Sequence, residues 1–259
     1  MGQNFLVDPN LQRKIVEAVG VEPGETVLEI GPGQGALTQH LAEVVDHLLL
    51  VELDRDLAAD LVARYQDRPS VEVIQDDILN LPLGALVPDP GRLRVVGNIP
   101  YNLTTPILFH LLERPRPREI LLMVQREVAD RVLATPGGKE YGALSVGVQT
   151  VAQAERVLHV PPGAFRPRPK VDSTVLRIRP LVPPPLEIGE EAALRRLTRA
   201  AFQWRRKQMG KILRDHPEIA LGRTGAEALL GSLGVDFRAR PETLAPETFI
   251  RLSRELEGR

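Results

Sequence analysis

The sequence predicts an α/β protein, with a mostly parallel seven-stranded sheet covered by helices on both faces and a small C-terminal α-helical domain. Two patterns and one break predict it. Short apolar runs alternate with amphipathic stretches up to residue 179, which is how a parallel sheet buried on both faces reads. Eight of the 23 prolines crowd between Pro161 and Pro185, and the segment PLVPPPL (180–186) can form neither helix nor central strand. Beyond that break the apolar spacing is helical to the end. The expected division is therefore a sheet domain over 1–180, a Pro-rich linker over 181–186 and a helical domain over 187–259.

Taken in order, Asp8-Pro9 reads as an N-cap followed by proline at the first helical position. Leu11, Ile15, Val16 and Val19 then form an apolar stripe that stops at Gly20. The alternation that follows is strand 26–30, helix 36–45, strand 48–52, helix 54–65 and strand 71–74. Next come strand 93–97, helix 105–112, strand 120–124 and helix 127–133. Residues 156–160 and 174–179 read as two closing strands joined by a long Pro-rich connection, plausible as an antiparallel pair. In the tail, Leu194, Leu197 and Ala201, and later Ala226, Leu229, Leu230 and Leu233, keep helical spacing, and Trp204 is expected to pack between helices.

Composition excludes several classes. A chain of 259 residues with 43% apolar and 26% charged content can bury a core in each domain. No apolar run approaches the ~18–20 residues of a membrane span, and no signal peptide is evident. There are no cysteines, which removes disulfides, thiolate nucleophiles and Cys-bound zinc and fits a reducing cytoplasm. The histidines have no metal-ligand spacing, so no metal is expected. The net charge is −1, so polyanion binding would rest on local patches. Two exist: Arg166, Arg168 and Lys170 in a Pro-rich loop, and a run from Arg195 to Arg214 that includes Arg205, Arg206 and Lys207 and contains no carboxylate.

The motif VLEIGPGQGALT (27–38) is a strand, a Gly-rich turn and a helix start. Such turns let a ligand approach the backbone at the C-terminal edge of a parallel sheet. Gly31, Gly33 and Ala36 satisfy the dinucleotide fingerprint, and Glu52, 21 residues after Gly31, could accept from both ribose hydroxyls. That much fits NAD and S-adenosylmethionine equally. Glu29 favours the methyl donor, because a carboxylate suits an ammonium-bearing ligand better than a pyrophosphate. Pro32 favours it too, because it removes one phosphate-cradling N–H. Asp77, in QDDIL, could take an adenine amino group, although Asp76 and Asp77 also suit a cap or turn.

At the end of the fourth strand, VVGNIPYNLTTP (95–106) presents an asparagine, a pre-proline carbonyl and an aromatic ring. An adenine N6 amine is a poor nucleophile because its lone pair is delocalised into the ring. Two acceptors on its N–H bonds, the Asn98 side-chain oxygen and the Ile99 carbonyl, would free that lone pair for attack on a methyl sulfonium. Tyr101 offers a face on which an unstacked base can lie.

GQNFLVD (2–8), LEIGPGQGALT, VELD (51–54), NIPYN (98–102) and FRPRPKVDS (165–173) occur in the order found in the ribosomal RNA adenine dimethyltransferases, which the chain resembles over most of residues 2–179. The tail, with FQWRRKQMGKIL (202–213) and RPETLAPETFIRL (240–252), resembles the small-subunit, KsgA-type branch rather than the macrolide-resistance branch. The resemblance implies a class I, Rossmann-like S-adenosylmethionine-dependent methyltransferase domain with a helical RNA- and ribosome-binding domain. It implies four methyl transfers to two adjacent adenosines in the 3′-terminal hairpin loop of 16S rRNA within a near-mature 30S subunit, by a cytoplasmic monomer. By the same resemblance Gln3, Asn4 and Leu6 close over the cofactor, Glu29, Gly31 and Gly33 line its methionine end, Glu52 takes the ribose, and Asp77 with Ile78 takes the adenine. Asn98, which also borders the cofactor, Pro100 and Tyr101 hold the target base, and Phe165 stacks on its other side. Arg166, Arg168, Lys170, Arg205, Arg206 and Lys207 are expected to contact RNA. The competing readings are a nicotinamide oxidoreductase, a catalytically idle ribosome-assembly factor, and the resistance-type enzyme acting on 23S rRNA. The chain begins almost directly on the first motif, without the short basic leader common in relatives.

Overall fold

The computed structural model describes residues 4–258. Among the described residues are nine strands, β1 (Phe5–Leu6), β2 (Thr26–Ile30), β3 (His47–Glu52), β4 (Val71–Gln75), β5 (Leu93–Asn98), β6 (Glu119–Gln125), β7 (Ala152–Val160), β8 (Phe165–Arg166) and β9 (Ser173–Pro180), and helices separate all but the last three. Seven of them form one sheet in the order β4-β3-β2-β5-β6-β9-β7. The pairs β2–β3, β3–β4, β2–β5 and β5–β6 are parallel, and β9 runs antiparallel to β6. The expected fold class is the observed one. The short β1 and β8, for which the sequence carries no periodicity, pair antiparallel apart from the main sheet, with Phe5 opposite Arg166 and Leu6 opposite Phe165.

Helix α1 (Pro9–Val19) follows its sequence signals. The Asp8 carboxylate accepts from the backbone N–H groups of Asn10 and Leu11, and Gly20 closes the helix with φ +61°. Of its apolar stripe Ile15, Val16 and Val19 are buried and Leu11 partly so, and Gln12 is buried with them. Helices α2 (Thr38–Val44), α3 (Arg55–Tyr65), α4 (Leu83–Leu86) and α5 (Thr104–Leu111) are the crossovers. Val27, Leu48, Leu50, Val96 and Leu121, from four adjacent strands, share one buried cluster with residues of α1 to α3. Helix α6 (Arg126–Leu133) then leaves the sheet.

Contacts divide the chain into two units: residues up to Ala129 with Ala154–Pro180, and Asp130–Gln153 with the chain from Leu181 onward. The linear division expected at residue 180 therefore assigns 130–153 to the other unit. The side chains explain the grouping. The Tyr141 hydroxyl donates to the Leu244 carbonyl at 2.8 Å, its ring meets Phe202 edge-on, and Phe202 stacks on Phe249. The segment includes α7 (Ala143–Gln149), which the sequence reading does not foresee. ALSVGVQ is rich in valine and carries a glycine, a weak helix former, and it is held by packing on α8 (Glu190–Gln203) and α11 (Pro246–Glu257). Helices α9 (Met209–Asp215) and α10 (Gly222–Ser232) complete the unit. Trp204 packs edge-on to the His216 ring at 4.9 Å.

Candidate active site

The chain runs outward through β2, β3 and β4, then returns to the other flank of β2 with β5. That reversal opens a crevice beyond the carboxyl ends of β2 and β5, the place where open parallel sheets bind ligands. A cavity of about 280 Å³ lies there. Its walls come chiefly from five segments: the β1 arm (Asn4, Phe5, Leu6), the glycine turn after β2, the end of β3 (Glu52), the end of β4 (Asp76, Asp77, Ile78), and residues 98–103 at and beyond the end of β5. Gln3 lies outside the described residues.

The glycine turn is shaped by its neighbours. Gly31 and Gly33 have φ of +62° and +58°, values that side chains rarely tolerate. A Cβ at Gly33 would stand 3.2 Å from the Phe5 ring, so the arm lies directly on the turn. The Gly33 N–H donates to Glu52 Oε2 at 2.9 Å, and the Asp54 N–H donates to Oε1 at 3.0 Å. Both carboxylate oxygens of Glu52 are thereby aimed, and each keeps a lone pair for a hydroxyl donor. Asp77 is both cap and wall: its Oδ1 accepts from the Leu79 N–H at 3.0 Å and its residue lines the cavity.

Glu29 is fully buried and accepts one hydrogen bond, from the Thr38 hydroxyl at 2.7 Å. Burial pushes its pKa up to about 7, the Thr38 bond opposing and the nearby Glu52 charge assisting. Glu29, Glu52, Asp54, Asp76 and Asp77 all line the cavity, and no lysine or arginine does among the described residues. Such a wall is complementary to a cationic ligand and repels a pyrophosphate.

On the opposite wall, Asn98 Nδ2 donates to the Asn4 carbonyl at 3.1 Å. With one N–H engaged in this way, the amide is oriented and keeps Oδ1 as an open acceptor. The next two carbonyls differ. That of Pro100 accepts from the Leu103 N–H at 2.9 Å, whereas that of Ile99 accepts nothing among the described residues. Tyr101 is half-buried, lines the cavity and hydrogen-bonds Ser173 through its hydroxyl at 2.7 Å. Burial raises the phenol pKa above its ordinary value, and the Ser173 bond only partly offsets this.

Phe165 corrects the sequence reading. It is wholly buried in the cluster with Leu6, Val160, Ala164 and Val175, and it is not a wall of the cavity. Its register opposite Leu6 turns the ring into the core. As placed, it offers no face to a base. Arg166, at the end of β8, and Arg168 and Lys170, on the loop between β8 and β9, are exposed. In the other unit Arg206 and Lys207 are exposed and unpaired among the described residues, while the Arg205 guanidinium donates to the Lys139 carbonyl at 2.9 Å. Phe5, Thr38 and Ser173 were missed although each stands inside a motif already singled out. Gln12, which carries no local signal, donates to the Leu6 carbonyl at 2.9 Å and ties the arm to α1.

Comparison with known proteins adds the following. The ribosomal RNA adenine dimethylase family model matches residues 1–256. The chain is 45% identical to a ribosomal RNA small subunit methyltransferase A of Moorella thermoacetica, over 99% of this chain and 91% of that protein. A protein of the same description from Aromatoleum aromaticum is 44% identical over 97% and 91%. Among solved structures, a dimethyladenosine transferase of Plasmodium falciparum superposes with a TM-score of 0.84 at 24% identity, covering 98% of both chains. The 23S rRNA methyltransferase ErmE superposes with a TM-score of 0.71 at 30% identity, over 98% of this chain and all of the other.

Proposed function

The chain belongs to the ribosomal RNA adenine dimethylase family, and from that premise we propose that it is the small-subunit enzyme. It transfers four methyl groups from S-adenosylmethionine to N6 of two adjacent adenosines in the 3′-terminal hairpin loop of 16S rRNA. The observation that carries the reading is the tethered amide. Asn98 gives its N–H to Asn4 and keeps its oxygen for a substrate donor, beside the open Ile99 carbonyl. Two adjacent acceptors, Asn98 Oδ1 and the Ile99 carbonyl, match the N–H groups of an amine on the target base.

The residues fit a methyl donor of this kind. Glu52 would hold the ribose, Asp77 and Ile78 the adenine, and Gly31, Gly33 and Glu29 the cationic amino-acid end, with Asn4 and Leu6 over it. The methyl donor supplies an electrophilic methyl group on a positively charged sulfur. On the protein side, Asn98 Oδ1 and the Ile99 carbonyl would accept hydrogen bonds from the N6–H groups, drawing the nitrogen toward pyramidal geometry and freeing its lone pair for in-line attack. The positioned acceptors act by orientation and electrostatics. Pro100 keeps the Ile99 carbonyl in extended backbone, and the Tyr101 ring supports the base. The methylated ammonium that results is acidic and loses its proton without a dedicated base.

Identity supports the small-subunit assignment: 44–45% to small-subunit enzymes against 30% to the 23S enzyme. The helical unit and the 166–170 loop are read as RNA-binding surfaces through Arg206, Lys207, Arg166, Arg168 and Lys170, with Arg205 contributing only if it leaves the Lys139 carbonyl. A near-mature 30S particle is the expected partner. The test is to supply labelled S-adenosylmethionine with undermethylated 30S subunits, 50S subunits and naked rRNA. Dimethyladenosine in 30S alone is expected; label in 50S would redirect the assignment to the resistance branch.

A further inference from the structure

The two substrate-facing side chains of residues 98–101 are each held from outside their own loop. Asn98 is tied to the arm. Tyr101 is tied to Ser173, 72 residues away, with the two hydroxyl oxygens 2.7 Å apart. The partners differ in how firmly they are fixed. Tyr101 hangs from a single 3-10 turn over residues 101–103. Ser173 is wholly buried at the start of β9, opposite Gln125 of β6. Its neighbour Asp172 is held twice by Arg126, through the backbone at 3.0 Å and the guanidinium at 3.1 Å. A rigid strand end thus grips the far tip of an aromatic side chain.

We propose that Ser173 is a positioning residue for the target base, acting through the Tyr101 hydroxyl to hold that ring in one place against the loop. The phenol oxygen is the far end of the lever that χ1 swings, so pinning it removes the alternative staggered χ1 positions. A stacking face held ready spares the ordering cost at each encounter with a base. The inference rests on the reading of Tyr101 as the surface on which the adenine lies. Ser173 does not touch substrate in this scheme, and its hydroxyl is consumed by Tyr101.

The experiment compares wild type, Ser173→Ala, Tyr101→Phe, the double variant and Ser173→Thr, using undermethylated 30S subunits and calorimetric binding of S-adenosylmethionine. Each single loss of the bond is expected to lower kcat/KM for subunits roughly three- to tenfold, the amount set by freeing one side chain's rotamers. The double variant should lose no more than either single, Ser173→Thr should restore the rate, and cofactor affinity should stay within about twofold throughout. Turnover of Ser173→Ala and Tyr101→Phe within twofold of wild type would overturn the proposal. So would losses that multiply in the double variant, or cofactor affinity falling in parallel with turnover. If Ser173→Ala lowers the melting temperature, Tyr101→Phe carries the test, since it removes the same bond without altering the strand. Absence of methyl transfer to 30S by the wild type would instead defeat the assigned function.

Discussion

The two ends of the parallel sheet bury carboxylates in opposite ways. At the amino ends of β2, β5 and β6, the carboxylates of Glu25 and Glu119 are buried against the Arg94 guanidinium. Arg94 bonds Glu25 through Nε, and through Nη1 it bonds Glu119 at 3.2 Å and the Val19 carbonyl at 2.8 Å. Arg118 adds a second cation to Glu25, and Arg177 and Arg179 add theirs to Glu119. At the carboxyl ends, Glu29 and Glu52 are equally buried but, among the described residues, receive only a hydroxyl and backbone N–H groups. Burial pushes the Glu25 pKa up, but the Arg94 hydrogen bond, a backbone bond and the Arg94 and Arg118 charges outweigh it and hold the group below its ordinary range. Glu29 is pushed up to about 7. A buried acid that the protein neutralises serves the fold, whereas one it leaves without a cation awaits a ligand that supplies the charge.

The largest expected effect breaks the first half of that comparison. Arg94→Met leaves Glu25 and Glu119 without their shared cation and should cost about 3–5 kcal/mol in denaturant unfolding. Cofactor affinity of the folded fraction should not change. A loss below about 1 kcal/mol would mean that the neighbouring arginines already neutralise that edge. The mirror experiment is Asn98→Ala at the other edge. It should lower methyl transfer about 10²–10³-fold, the range for removing an aligned electrostatic partner, while stability and cofactor affinity stay near wild type. Comparable turnover in that variant would refute the acceptor role.

Acidity separates the edges more finely. Glu29 titrates higher in the folded chain than unfolded, so its contribution to stability is full below about pH 4.5 and is lost as pH rises toward about 7. Glu25 is depressed, so its contribution is lost as pH falls through its folded value. A cationic cofactor needs Glu29 ionised, so its affinity should weaken about tenfold per pH unit below 7. Binding at pH 6 should release a proton, measurable by calorimetry in buffers of different ionisation enthalpy. Glu29→Gln should flatten both the stability trend and the affinity profile, and a profile that kept its slope would remove Glu29 from the cofactor site. The smallest effect on fold or cofactor belongs to neither edge. Arg206→Glu with Lys207→Glu should leave melting and cofactor binding unchanged, yet weaken 30S binding and flatten its dependence on salt. Affinity unchanged across salt would exclude these cations from the RNA surface.

Much of the candidate site was legible because its residues sit where local rules place them. Alternating apolar runs locate strand ends, and the ends of β2, β3, β4 and β5 carry Gly31, Glu52, Asp77 and Asn98. Other features were not legible. Phe165 belongs to a motif that points to stacking, yet its register with Leu6 sends it inward. Gln12 sits among apolar positions and becomes informative only when the Leu6 carbonyl lies 2.9 Å away.

By itself, then, the sequence determined the order of the seven main-sheet strands, the glycine turn, the break at the prolines and the residue types that follow β5. These follow from spacing and from backbone preferences that act over a few residues. Tertiary structure alone decided that 130–153 groups with the helices, that Glu29 is buried without a cation, and that Asn98 and Tyr101 are held by Asn4 and Ser173. Hydrogen bonds spanning 94 and 72 residues leave no mark on local periodicity. They form only once the sheet has brought its strand ends to one edge, where desolvation gives each bond its weight.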